Sequence, residues 1–447
     1  MRLSRILCAA FVLILCSASP VAAAPKPPTV ASELDRLVAA GTVAPEVAGA
    51  YRATYDDAKT RHKKLTGARY LELGGVIRDL DDMAARDQFT PSRLPSLFLT
   101  LQRNVQFWTT APLPAPGYRT SFTGSELLYQ FYPGHGVQIQ WLGTFGKLNG
   151  YWSGGARYDT RAGALLDEIK ALAAERAGGL AWEYLFPFDG QRPPWVSSLA
   201  QGTGLQAMAR STTRLNRQAD TFPTALAGLK IFQTRPPAGV RVSQADGAHY
   251  LQYSGLPRLK ILNGFIQSLV GLYDFANLTG DPTAQSLFED GDRAARAEVP
   301  TFDTGAWSLY SRGSATHESD LGYHKLLRDF LVSLCTRTKT EPYCATAQHF
   351  TAYLTTPPAL AYVPTTLKAT KTGKLKFKLS KVARVALTIK RGDSVVATLA
   401  PGVLGYGTKT IFWRAPKKTG RYTVTVTATD LAGNPGNTAG EVTVKKR

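Results

Sequence analysis

Three short stretches put phenols beside cations: YLQYSGLP (250–257), FDTGAWSLYS (302–311) and SDLGYHKLL (319–327). They carry Tyr253, Tyr310 and Tyr323, and Arg258, Lys260, Arg312 and Lys325 lie close to them in sequence. A phenol can donate a proton as it stands. To accept one at neutral pH, its pKa must fall by about 2–3 units, which costs about 3–4 kcal/mol and calls for nearby positive charge. The same cations could bind an anionic substrate group. Taken alone, each tyrosine reads as readily as a packing ring with a wet hydroxyl, and each cation as a solvated helix-entry residue.

Other chemistries lack their residues. There is no phosphate-binding loop, no CxxC pair and no GxSxG elbow. The six histidines do not fall at metal-ligand spacing, and GTG at 202–204 follows no expected strand. No metal and no cofactor are therefore expected.

Helices must position the phenols. Leu262, Phe265, Ile266, Leu269, Val270 and Tyr273 recur at helical spacing and form one apolar face. The same offsets recur from Tyr323 through Leu326, Leu327, Phe330, Leu331 and Leu334, and Ser319 or Asp320 can cap that helix. Helices are predicted over 160–178, 197–216, 219–231, 258–279, 283–298, 319–336 and 343–354. Residues 33–101 also read as helical, and TTAPLPAPGYRT (109–120) breaks the pattern. The expected fold is multidomain and mainly α. It comprises a helical region over 25–112, an α/α toroid over 113–360 with a cleft where its loops converge, and a small all-β module over 363–447. That module reads as a β-sandwich, because KLKFKLS, RVALTIK and RYTVTVTAT alternate in polarity between turns such as RGDS and LAGNPGN. Its ATDLAGN resembles the end of bacterial immunoglobulin-like modules. RGD at 391–393 is expected to be a hairpin turn.

LPRLKILNGFIQSLVGLYDFANLTGD, then VPTFDTGAWSLYS, then a YH pair, resembles the C-terminal domain of D-glucuronyl C5-epimerases. LLYQFYPGHGVQIQW and PPWVSSLAQGTGLQAMAR are similar to two earlier segments of that family, in order, so the resemblance spans roughly 120–355. It implies an isomerase that inverts C5 of D-glucuronate to L-iduronate within a polymer such as heparosan, on an α/α toroid paired with β structure. The family's catalytic phenols fall on Tyr253, Tyr310 and Tyr323. The family often has an acid just before the first of them, and here that place holds Gln252. The C5 proton lies α to a carboxylate, so the chemistry needs a base on one face, an acid on the other and donors for the enolate. Gln252, Arg258, Asn263, His324, Trp195 and Gln201 are the candidate substrate-binding residues. Core packing for Trp195 and a surface position for His324 are the plain alternatives. The resemblance implies an anionic uronic-acid polysaccharide as partner, and a homodimer. A polysaccharide lyase on the same scaffold and a non-catalytic glycan-binding protein are the competing readings.

Composition adds the setting. The chain has 447 residues, 44% of them hydrophobic, enough for two or three domains. A basic start, the apolar run Ile6–Cys16 and Ala22-Ala23-Ala24 read as a signal peptide over 1–24, hence a secreted or extracytoplasmic protein. Cys8 and Cys16 would leave with it, and Cys335 and Cys344 are expected to pair as a local disulfide. Residues 363–447 hold 17 Lys+Arg against Asp393, Asp430 and Glu441, so +14 of the net +20 lies there. That charge fits a soluble basic surface, or a module that adheres to an anionic cell-surface polymer. Nucleic acid is not an expected partner given export.

Overall fold

The computed structural model describes residues 26–446, and the expected signal peptide lies outside the described residues. Four helices open the described chain: α1 (Val30–Ala39), α2 (Pro45–His62), α3 (Gly67–Ala85) and α4 (Leu94–Thr110). The Thr29 and Ser32 side chains cap α1 reciprocally. A short antiparallel sheet follows, β1 (Arg119–Thr120), β2 (Tyr129–Tyr132) and β3 (Gly136–Ile139), in the order β1-β2-β3.

Beyond it come α5 (Trp141–Gly154), α6 (Asp159–Ala171), the hairpin β4 (Ala174–Arg176) and β5 (Gly179–Ala181), α7 (Ser198–Arg214), α8 (Gln218–Gly228) and α9 (Lys230–Gln233). The hairpin β6 (Arg241–Gln244) and β7 (Gly247–Tyr250) precedes β8 (Leu259–Ile261), α10 (Leu262–Thr279) and α11 (Pro282–Glu298). Then β9 (Leu309–Gly313), β10 (His317–Glu318), α12 (Leu321–Thr338) and α13 (Glu341–Tyr353) complete the helical part.

One apolar cluster runs from Val30 to Phe350, so α1–α4 share a core with the later helices. Helix α7 lies at its centre, packed against α5 and α10. Glycines set how close α7 and α10 come: a Cβ on Gly271 would sit 2.1 Å from the Gly202 carbonyl oxygen. Cys335 and Cys344 are bonded and tie α12 to α13. No helix among the described residues is long and apolar enough to cross a membrane.

Two expected helix bounds shift. The run predicted from 258 begins at Leu262, because residues 259–261 are drawn into a ladder, Leu259 opposite Gly313 and Ile261 opposite Ser311. The helix predicted over 160–178 stops at Ala171, where Ala177 and Gly178 take positive φ and turn the β4–β5 hairpin. The apolar stripe of α12 also splits. Leu327, Leu331 and Leu334 enter the core, whereas Tyr323 and Leu326 are exposed on another side.

The C-terminal part is β throughout: β11 (Leu360–Val363), β12 (Thr365–Lys368), β13 (Thr372–Leu379), β14 (Ala383–Arg391), β15 (Ser394–Leu404), β16 (Gly407–Arg414), β17 (Gly420–Asp430) and β18 (Pro435–Lys445). They form two sheets, β11-β13-β16 and β12-β18-β17-β14-β15. Alternate residues of both, among them Leu375, Phe377, Val385, Leu387, Val424 and Val426, fill a second apolar core. Arg391 pairs with Ser394 across the β14–β15 turn, so RGD is a tight hairpin with Gly392 at φ 58°.

Candidate active site

A cavity of about 340 Å³ opens where three sequence-distant segments meet, a volume in the range of small-ligand sites. The first wall is Arg119 of β1, Gln130 and Tyr132 of β2, and Gln140 and Leu142 at the start of α5. The second is aromatic: Tyr184, Phe186, Phe188 and Trp195. The third is Gln252 and Tyr253, Asn263 on α10, and Tyr323 and Leu326 on α12.

Each phenol is held by a different device. Tyr253 sits on the turn between β7 and β8, where its carbonyl accepts from the Leu256 amide at 3.0 Å. Tyr310 stands on β9, the central strand of β10-β9-β8. Tyr323 occupies the first turn of α12, and its amide donates to the capping Asp320 carboxylate at 2.7 Å. The rings of Tyr310 and Tyr323 lie 4.6 Å apart, and Tyr253 packs edge-on against Trp195 at 5.5 Å. The structure thus brings the three expected tyrosines into one cluster, with Tyr253 and Tyr323 on the cavity wall and Tyr310 against Tyr323.

Gln252 links the cluster to α10. Its side chain lies over Gly264, where a Cβ would come within 2.4 Å of Oε1. Neither that oxygen nor Asn263 Oδ1 has a partner among the described residues, though both are buried. Two amide oxygens left without donors at one cavity are costly unless a ligand or water supplies them. Burial pushes the Tyr253 hydroxyl well above the usual phenol range, and the Gln252 amide pulls it back. Burial does the same to Tyr310, and the phenols at 253 and 323 push it further. Contact between the two hydroxyls lowers Tyr253 and raises Tyr310.

The expected cations are elsewhere. Lys260 reaches Glu298 at 2.8 Å, Arg312 donates to the Thr301 carbonyl and lies over Phe302, and Arg258 and Lys325 are exposed off the cavity wall. The alternation of β8 and β9 turns Lys260 and Arg312 to one shared face, where they are cross-strand neighbours. Arg119, which sequence reasoning did not single out, is the one charged residue on the wall among the described residues. Its Nε donates to Gln130 Oε1 at 3.0 Å. Also missed was the polar row beside it, in which Gln140 Nε2 donates to the Tyr132 hydroxyl at 3.2 Å and Gln140 Oε1 caps α5 through the Gly143 amide at 3.0 Å.

Two expected substrate-binding residues are structural. His324 is fully buried and stacks on Trp307 with ring centroids 3.7 Å apart. One nitrogen meets the Ser308 hydroxyl at 2.8 Å and the other the Phe350 carbonyl at 2.9 Å, leaving none for a sugar. Burial lowers its pKa to about 4, so it is neutral. Gln201 lies inside α7 and donates to the Trp182 carbonyl at 3.0 Å, away from the cavity. Trp195 is both wall and packing residue: it lines the cavity while stacking on Tyr184 at 4.2 Å. Among the described residues no cluster of His, Cys, Asp or Glu could hold a metal.

Residues 178–352 match the family described as the D-glucuronyl C5-epimerase C-terminus. A D-glucuronyl C5-epimerase of Caenorhabditis elegans is 29% identical over 179 residues, 36% of this chain and 29% of that protein. A protein of Methanocaldococcus jannaschii, described as uncharacterized, is 32% identical over 170 residues, 37% of this chain and 54% of that one. The alignments thus span less than a third of the nematode relative and about half of the archaeal one. A solved Cellulomonas fimi endo-β-1,4-mannanase double mutant overlaps 64% of this chain and 70% of its own at 14% identity and TM-score 0.15, too low to bear on the fold.

Proposed function

From a segment, 178–352, that belongs to the D-glucuronyl C5-epimerase C-terminal family, we propose that the chain is an extracytoplasmic isomerase. It inverts C5 of glucuronate residues within an anionic polysaccharide of the heparosan type, on a helical body that completes an α/α toroid. The observation that carries this reading is the clustering of Tyr253, Tyr310 and Tyr323 beside one cavity whose one charged wall residue among the described residues is a cation.

In this reading Arg119 and the Tyr132–Gln140 row receive the sugar carboxylate, and the aromatic wall carries the pyranose faces. Arg119 lies outside the matched segment, 178–352. Tyr253, as phenolate stabilised by the Tyr310 hydroxyl and the Gln252 amide, takes the C5 proton. The electron pair moves onto the carboxylate, whose added charge Arg119 offsets. The Tyr323 hydroxyl returns a proton to the opposite face of C5. That leaves Tyr253 protonated and Tyr323 ionised, and exchange with solvent resets both. Because burial holds the Tyr253 phenol in its neutral form at rest, only a small fraction of molecules is poised at neutral pH.

The test is proton NMR in D2O with heparosan. Deuterium should enter C5 without chain cleavage, and Tyr253→Phe and Tyr323→Phe should each lower exchange by at least about a hundredfold. Unchanged exchange in both variants would reject the assignment. A new absorbance near that of an unsaturated uronate would instead show elimination, and binding with no exchange would show a glycan-binding protein.

A further inference from the structure

The three-stranded sheet of the C-terminal module carries a feature that its own stability does not require. On β13, Leu375, Phe377 and Leu379 point into the core, and Lys374, Lys376 and Lys378 stand on the outer face. Lysines on edge strands commonly guard against sheet-to-sheet pairing. This explanation fails here, because β13 is the central strand, flanked by β11 and β16. The lysines are about 7 Å apart along the strand, so they repel one another, and among the described residues no carboxylate pairs with any of them. Their cross-strand neighbours are Phe412, Thr410 and Thr408 on β16 and Val363 and Ala361 on β11, none of them acidic. Arg414 extends the row opposite Thr372. Phe412, 62% exposed, lies beside the Lys374 ammonium.

We propose that this outer face, Lys374, Lys376, Lys378 and Arg414 with Phe412, is a docking surface for a linear anionic polysaccharide, separate from the cavity. Three aligned ammonium groups and a guanidinium complement a chain of carboxylates or sulfates. An exposed ring flanked by threonine hydroxyls suits a sugar ring, which offers an apolar face and a hydroxyl edge. Single-stranded nucleic acid is a poorer fit, since its binders line a basic groove with successive aromatic platforms and this face has one. In choosing a uronate polymer the inference rests on the proposed function, but it is tested apart from it.

The experiment compares the full chain with Lys374→Gln/Lys376→Gln/Lys378→Gln and, separately, Phe412→Ser. Heparosan affinity is titrated at several salt concentrations, and C5 deuterium exchange is followed on a heparosan tetrasaccharide. The lysine variant should bind the polymer at least about tenfold more weakly, with a shallower salt dependence. Its tetrasaccharide exchange should equal that of the parent. Phe412→Ser should weaken binding with the salt slope unchanged. Polymer affinity unaltered in the lysine variant would overturn the proposal, as would tighter binding of a single-stranded DNA of similar length than of heparosan. If the parent exchanges no deuterium but loses polymer binding with the lysines, the docking surface stands and the epimerase reading falls.

Discussion

At the cavity, the distribution of charge decides which residue meets the substrate. Arg119 lines the same cavity as Tyr253 and Tyr323 with no carboxylate in ion-pair reach among the described residues, so a uronate there meets a guanidinium whose charge is not neutralised. A charge-assisted pair of this kind contributes about 1.5–3 kcal/mol. Arg119→Gln should therefore cut kcat/KM for C5 exchange by roughly ten- to a hundredfold, and Arg312→Gln, whose guanidinium is spent on the Thr301 carbonyl, should leave it within about twofold. Steady-state exchange rates on heparosan read both. The phenols set the pH dependence. Burial holds Tyr253 and Tyr310 above the usual range, so the base form is scarce at neutral pH and grows as pH rises. The rate should climb about tenfold per unit from pH 6 to 9. A plateau in that window would show a base of lower pKa and shift the role from Tyr253. The three tyrosines could be named from sequence because each sits in a stretch that resembles the D-glucuronyl C5-epimerase family. Arg119 could not, since it lies more than a hundred residues upstream and only folding brings it across. Nor could the direction of Lys260 and Arg312, which depends on a ladder between residues some fifty apart.

Long periodic elements were readable, and short ones were not. The stripe Leu262–Tyr273 gave α10 because six apolar positions over twelve residues repeat one period. Strands β8 and β10 have three and two residues, too few to show any period, and exist only through β9. The hairpin bearing Arg119 escaped for a related reason: LLYQFY and VQIQW alternate, but each run is short. What fixes that hairpin is the Glu126 carboxylate between β1 and β2. It takes hydrogen bonds from Arg161 at 2.7 and 2.8 Å and is in ion-pair reach of Lys147 at 2.7 Å. Arg161 first, then Lys147 and Tyr151, hold its pKa down to about 2. A depressed carboxyl stabilises the fold fully above its unfolded value near 4.5, and that contribution is lost as pH falls toward about 2. Glu126→Gln should melt lower than the parent at pH 7, and the gap should close as pH is lowered through 4.5 to 3. Calorimetric melts across that window test it, and a gap that stays constant would remove Glu126 as the anchor.

The chain's two apolar cores are joined by polar contacts, and these connect the basic module to the phenol cluster. Glu318, on the strand paired with β9, accepts from the Val382 amide at 2.7 Å and the Tyr406 amide at 2.6 Å. Lys381, its side chain 1% exposed, donates to the Tyr353 and Thr356 carbonyls and to Asp430, whose side chain is 0% exposed. Composition marked Lys381 as one more positive charge in a basic tail, and only the packing shows that it faces inward. It bonds both parts at once: Tyr353 ends α13 and Thr356 follows it, and Asp430 ends β17. Lys381→Met would strand the Asp430 carboxylate, still held by the Ala432 and Asn434 amides, at a cost of about 3–5 kcal/mol. The module should then melt apart from the helical body, as a second and earlier transition in calorimetry. Adding Asp430→Asn should recover part of that loss, because no unpaired charge is then buried. A single transition at the parent temperature in Lys381→Met would mean that the apolar cores hold the two parts together without this pair.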